Sequence, residues 1–360
     1  MVRNHSLAEL IEAHHRLDTP IQEHRENFLS DWNVEHPFVR EFLTKRLWKL
    51  LDNPTLESGY VYFDEQREVS DAICEFHASA DGLRLQNENV IAGPGSTSLL
   101  TAFCLWLVQR KTEEVFYVPP LYYTMHFVLR ALNIRARPIS GRQAFEPDFV
   151  LRLPNKQIVL LLTDPVWFAG KRTPQHHVNQ IANWQRETGS LVLVDGSFQY
   201  MQWSGSRSEF TSALDPEKTF RVISPTKSLA IPSFRFAYLL MPKRFRKSFL
   251  FLYENIVGSA SIADLIFAKR ALNVLISAKS NHMLTDFLQK IYESLVAQQF
   301  IKTEIIPECG YFTFANVTSK LRNQTVMGGE YFELKRYPNY ARVNLLKAHA
   351  VFLNGRAFAN

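Results

Sequence analysis

The sequence predicts an α/β protein: a large unit built on a mainly parallel sheet flanked by helices, followed by a smaller α+β unit. Short apolar runs at 89–92, 115–118, 158–163, 191–194 and 221–224 are separated by longer stretches, several with helical spacing. Strands separated by helices pair in parallel. The runs are apolar along their length rather than alternating, as strands covered on both faces are. Near 246–250 the alternation stops. A long region rich in Leu, Ile, Phe and Ala then runs to about residue 300.

The elements follow in order. Residues 1–50 carry helix-like spacing (Leu7, Leu10, Ile11, then Phe38, Phe42, Leu47), broken at Pro20 and Pro37. An amphipathic helix is expected over 68–80 through Val69, Ala72, Ile73 and Phe76. The strand 89–92 meets a glycine-rich turn, and a helix follows over 98–109. After the long helical region come short strands at 303–307, 310–316 and 340–345. This organisation gives an N-terminal helical segment, 1–50, packing with the small unit. The large unit spans 51–248 and the small C-terminal unit 249–360.

At 360 residues, 46% hydrophobic and 21% charged, the chain has the composition of an ordinary globular protein. No apolar run reaches the ~18 residues a membrane helix needs, and the N-terminus lacks a secretory signal, so a cytoplasmic protein without a membrane partner is expected. Cys74, Cys104 and Cys309 are too few and too scattered for a disulfide framework or zinc site. They read as core thiols, and no metal is expected. The net charge of +6 includes the run 243–247, which reads as a solvated helix face rather than a nucleic-acid surface.

Several chemistry-bearing residues fall where strands hand over to helices, the edge at which ligands bind to such sheets. Lys227 lies in Ser224-Pro225-Thr226-Lys227, with Arg235 eight residues on. An amine beside hydroxyls and a guanidinium suits a phosphate-bearing carbonyl cofactor. The bland reading is a solvated lysine. Gly93-Pro94-Gly95-Ser96-Thr97 makes a natural phosphate cradle from backbone N–H groups and two hydroxyls. It also reads as a tight turn capped by Ser96. Tyr122 could stack on a flat ring or simply fill the core. Asp195 ends an apolar strand and needs a cationic or hydrogen-bonding partner, or serves as a helix N-cap. Arg342, amid apolar neighbours, reads as a bidentate carboxylate clamp or a structural ion pair.

Taken in order, these pieces resemble the fold-type I pyridoxal-phosphate enzymes of the class I/II aminotransferase family, over roughly residues 55–345. The resemblance implies pyridoxal 5'-phosphate bound to Lys227 as an internal aldimine, with Lys227 then shuttling protons. It implies Asp195 against the pyridine nitrogen and Tyr122 stacked on the ring. Ser96, Thr97, Ser224 and Arg235 would hold the phosphate, and Arg342 the substrate α-carboxylate. Tyr60, in Gly59-Tyr60-Val61-Tyr62, would reach the phosphate of a neighbouring subunit in a homodimer.

Two positions depart from the family. Its N-P-x-N-P-T-G loop reads Asp164-Pro165-Val166-Trp167-Phe168-Ala169-Gly170, with Trp167 beside the cofactor in place of an asparagine. Its D-x-x-Y reads Asp195-Gly196-Ser197-Phe198, with phenylalanine in place of tyrosine. Both replaced residues normally donate to the cofactor's phenolic oxygen. Without them the aldimine should stay protonated to higher pH. The expected function is an aminotransferase acting on an α-amino acid and a 2-oxo acid. The departures also admit a specialised amino-acid oxidase, cyclase or β/γ-eliminase, or a catalytically degenerate member with a binding role.

Overall fold

The computed structural model describes residues 29–30, 62, 66–203, 209–232, 234–276, 278–321, 326–328, 332, 334 and 336–353. The expected N-terminal helices and Tyr60 lie outside these residues. Helix α1 (Arg67–Ala80) buries Val69, Ala72, Ile73 and Phe76, the i, i+3, i+4, i+7 stripe of an amphipathic helix. Then come β1 (Val90–Gly93), α2 (Ser96–Gln109), β2 (Glu114–Tyr117), α3 (Tyr123–Ala131), β3 (Arg135–Pro138) and β4 (Val159–Thr163). They are followed by α4 (Gln175–Thr188), β5 (Leu191–Gly196), β6 (Thr219–Ile223), α5 (Pro225–Ser228) and β7 (Ala237–Leu240).

These strands form a seven-stranded sheet in the order β1-β7-β6-β5-β4-β2-β3. The expectation of parallel pairing holds from β3 through β6. The sheet is mainly parallel as expected, and β7, a strand not expected from the sequence, pairs antiparallel with both β6 and β1. The link from β6 to β7 carries only the four-residue helix α5, too little for the usual crossover. The other six strands therefore share one direction. Their carboxyl ends open on one edge, where the register pairs Gly93 with Ala237, Gly196 with Ile223 and Thr163 with Asp195.

Strand periodicity divides the core. Leu161, Leu193 and Val222 pack under α2, α3 and α6 (Arg246–Val257) through Phe103, Trp106, Met125 and Phe249. Leu160, Leu162, Val192 and Val194 face α4 through Val178, Ile181 and Trp184. Ile223 and Tyr238 face α1 and α7 (Ile262–Ile276). Helices α6 and α7 thus lie on the large sheet, although both follow or straddle residue 248.

The region read as one helical stretch is broken after α6 by Gly258, at φ +81, and resumes as α7 and α8 (Ala278–Ala297). The second sheet has the order β10-β11-β9-β8, formed by β8 (Ile301–Lys302), β9 (Phe312–Val317), β10 (Met327–Gly328) and β11 (Tyr340–Asn344). The strand expected at 303–307 does not form, and only Ile301 and Lys302 pair with β9. α8 covers this sheet with Leu284, Leu288, Ile291 and Leu295. The same cluster takes in Trp167, Phe168, Phe198 and Trp203 from loops of the large sheet. Those loops are the hinge of contact between the two sheets. Among the described residues, no helix is long and apolar enough to cross a membrane.

A buried ion pair ties α1 to the sheet. Arg221 on β6 donates to Asp81 at 2.8 Å, and both side chains are enclosed. His77 (2.8 Å) and the Tyr200 hydroxyl (2.7 Å) share the same carboxylate oxygen. Burial opposes the charge on Asp81, but Arg221 and these hydrogen bonds outweigh it and hold the carboxyl well below its usual range. Removing one member strands a buried charge. Asp81→Asn should cost about 3–5 kcal/mol, read as a lower urea midpoint. The double variant Asp81→Leu/Arg221→Met should recover part of that loss.

Candidate active site

The site is assembled at the common carboxyl edge. At its β1 end, Gly95 adopts φ +85 and precedes the first residue of α2. A Cβ at Gly95 would lie 2.6 Å from Arg235 Nη2, so the guanidinium rests against the bare glycine backbone. A Cβ at Gly93 would lie 1.8 Å from the Tyr253 hydroxyl. Both positions therefore exclude a side chain. Gly95, not Ser96, is the N-cap, and Ser96 is the first helical residue. The reading of this loop as a turn capped by Ser96 is thereby corrected. The first N–H groups of α2, the helix dipole and the exposed Arg235 converge on one point, the arrangement that holds an anion. Thr97 is exposed and Ser96 half-buried beside it. Arg235 is positioned by its own amide, which donates to Asp264 Oδ1 at 3.2 Å.

Ser224 is the N-cap of α5. Its hydroxyl is enclosed, 3.0 Å from the Thr226 hydroxyl and 3.3 Å from the Phe236 carbonyl that accepts from it. Lys227 sits on the next turn, with Nζ 5.8 Å from the centre of the Phe198 ring. Burial, then the positive charges of Arg235 and Arg342, push its ammonium down to about 8, with Asp195 opposing. Lys227 is not the solvated lysine of the bland reading. It is a desolvated amine among cations.

Asp195 is buried at the end of β5. Its Oδ1 accepts from the Ser197 amide at 3.2 Å and the Ser197 hydroxyl at 2.6 Å. It closes a local turn and caps no α-helix. Burial raises its pKa, against the pull of Ser197 and Lys227, so a further cation would be stabilised beside it. Across the edge, Tyr122 caps α3 and meets Trp167 edge-on, with ring centres 5.3 Å apart at 85°. Burial raises the Tyr122 hydroxyl, and the field of Asp195 adds to the effect. Trp167 is nearly enclosed, and its Nε1 has no hydrogen-bond partner among the described residues.

Arg342 on β11 is fully buried. Its Nη2 donates to the Ser30 carbonyl at 2.5 Å, and its guanidinium lies over Phe312 (4.7 Å) and Phe332 (5.8 Å). Sequence reasoning missed this platform, and also Tyr311. The Tyr311 ring packs on Phe198 at 5.3 Å, and its buried hydroxyl has no partner among the described residues. The turn Cys309-Gly310 before a strand was its only signal. Nearby, His126 packs on Tyr117, and Asp164 accepts from the Thr173 amide at 2.6 Å.

The structure thus brings Gly95, Arg235, Lys227, Asp195, Tyr122, Trp167 and Arg342 around one cleft edge. The donor set fits pyridoxal phosphate: a side-chain-free anion cradle, a desolvated amine, a buried carboxylate and an aromatic ring. No curated protein sequence matches the chain. Solved structures share its fold. Substrate-bound BacF from Bacillus subtilis aligns with TM-score 0.75 at 13% identity, covering 93% of this chain and 91% of that one. A double mutant of Thermus thermophilus aspartate aminotransferase aligns with TM-score 0.73 at 16% identity, over 96% and 94%. An aminotransferase from Mycobacterium tuberculosis gives 0.74 at 17%, over 96% and 95%. The profile of the aminotransferase class I and II family matches residues 40–350. The chain belongs to that family of pyridoxal-phosphate-dependent transferases, with an α/β architecture of fold type I.

Proposed function

We propose that this protein is an aminotransferase that moves the amino group of an α-amino acid to a 2-oxo acid, with Lys227 as its catalytic residue. The observation that carries the reading is the Lys227 amine, pushed down to about 8 in a pocket shared with Asp195, Arg235 and Arg342. An amine near that value keeps a neutral fraction of about a tenth to a fifth at physiological pH, the form in which it acts as nucleophile and proton carrier.

Pyridoxal phosphate, when bound, supplies an electron sink that makes the α-proton of an attached amino acid removable. The N-terminus of α2 and Arg235 would hold its phosphate, with Ser96 and Thr97 at the rim. Ser224 would join them by turning its hydroxyl away from Phe236. Lys227 would hold the aldehyde end through its amine. Asp195 would pair with the pyridine nitrogen, since burial raises its pKa and a cation beside it would offset that cost. Tyr122 would cover one face of the ring. Arg342 would fork onto the substrate carboxylate, held at its angle by Ser30 and Phe312. The neutral Lys227 amine would also take the α-proton of the amino acid and return it. We further propose a homodimer in which Tyr60 completes the phosphate site of the neighbouring subunit, and a division into large and small units as expected from the sequence.

A specialised amino-acid-modifying reaction is the second reading. It is favoured by Phe198, whose buried ring brings no hydroxyl to the site.

Borohydride reduction should trap cofactor absorbance covalently in the wild type and not in Lys227→Ala, read on the denatured protein. Because only the neutral amine attacks, cofactor capture by the cofactor-free protein should quicken about tenfold per pH unit up to about pH 8 and then level off. Stopped-flow absorbance reads this directly. Arg342→Gln should raise the amino-acid KM by about 100-fold through loss of a bidentate charged pair, with a smaller change in kcat, in steady-state kinetics.

A further inference from the structure

We propose that the Trp167 indole N–H is a positioning donor to the phenolic oxygen of the cofactor, in the role the family gives to an asparagine and a tyrosine. This rests on the reading of the site as a pyridoxal-phosphate site. The residue is 5% exposed, and its Nε1 finds no partner among the described residues. Buried polar hydrogens are nearly always paired, so an orphan at a ligand edge marks a group awaiting the ligand.

Strand order says which group. Along the carboxyl edge, the anion cradle lies at β1 and the start of β7, Lys227 follows β6, Asp195 ends β5, and Trp167 follows β4. On the cofactor ring, the aldehyde carbon is flanked by the phosphate-bearing arm on one side and the phenolic oxygen on the other. The pyridine nitrogen lies opposite the aldehyde. With the arm toward β1, the aldehyde at Lys227 and the nitrogen at Asp195, the phenolic oxygen is turned toward β4. That is the Trp167 side.

The indole is fixed there. The turn that carries it is closed by the Ala169 and Gly170 amides donating to the Val166 carbonyl, at 3.1 and 2.9 Å. Gly170 has φ +61, and a Cβ there would meet the Cys309 carbonyl at 2.5 Å. Edge-on packing against Tyr122 and Phe168 sets the ring plane. Phe198, across the pocket, has no hydrogen to offer. The Thr163 hydroxyl at the end of β4 and the hydroxyl of Tyr311, whose ring packs on Phe198, are also without a partner among the described residues and are the competing donors.

A donor at the phenolic oxygen stabilises its negative charge and loosens its hold on the proton of the neighbouring imine nitrogen. The site therefore keeps one such donor, although both usual residues are replaced.

The test is a pH titration of the visible band of the holoenzyme in wild type, Trp167→Phe, Trp167→Asn, Thr163→Val and Tyr311→Phe. Trp167→Phe should move the transition up by about one pH unit, a tenfold change in proton affinity. Trp167→Asn, which restores a donor, should return it toward wild type, and Thr163→Val and Tyr311→Phe should each leave it in place. In parallel, the indole N–H resonance that is missing from the Trp167 variants should move downfield when pyridoxal phosphate is added to the cofactor-free wild type. A transition unmoved in Trp167→Phe, one moved by Thr163→Val or Tyr311→Phe instead, or an unshifted indole resonance overturns the proposal and leaves the cofactor reading standing. A wild type that takes up no cofactor overturns both.

Discussion

Everything at the site depends on a directional constraint: six of seven strands run the same way, so their ends deliver side chains to one edge. The reversed strand β7 is part of that delivery. Because it enters the sheet from the same edge, Arg235 just before it meets Gly95 just after β1. A parallel strand in that slot would have placed the arginine at the opposite edge. The anion cradle exists because the connection after α5 is short.

Charge is handled in two different ways on the two sides of this sheet. Behind it, Asp81, Arg221, His77 and Tyr200 satisfy one another at 2.5–2.8 Å, a closed network that fixes α1. At the edge, Lys227, Asp195 and Arg235 lie within each other's fields without saturating them. Burial raises the carboxyl and lowers the ammonium there, so each ion is less stable than it would be in water. The first arrangement is finished by folding. The second is finished by a ligand.

The parts legible in the sequence were those with a strong local signal. Strands of continuous apolar residues, such as Leu191–Gly196, were found within a residue or two. The edge strand Arg135–Pro138 was missed because Arg-Ala-Arg-Pro is polar and largely exposed, with no apolar period to read. Ala237–Leu240 was hidden because its short run follows an irregular loop, with only the four-residue α5 before it. The segment 303–307 looked like a strand from Ile305 and Ile306, but Ile306 is exposed and Pro307 withholds a donor. At the site, residue types alone pointed to Lys227, Asp195 and Arg235. Tyr311 and Phe312 escaped because their contribution is tertiary: a ring beneath a guanidinium and a ring against Phe198 leave no pattern in one dimension.

Arg342 and Ser30 are joined twice. The arginine donates to the Ser30 carbonyl, and the Ser30 hydroxyl donates to the Arg342 carbonyl. The Leu29 carbonyl accepts from the Asn344 amide two residues along the same strand. Residues 29–30 are thus stitched to the strand that carries Arg342, more than three hundred positions away in sequence. Whatever dislodges residues 29–30 also frees the guanidinium to swing. Variation at residues 29–30 can therefore change how that guanidinium is presented without any change on β11 itself.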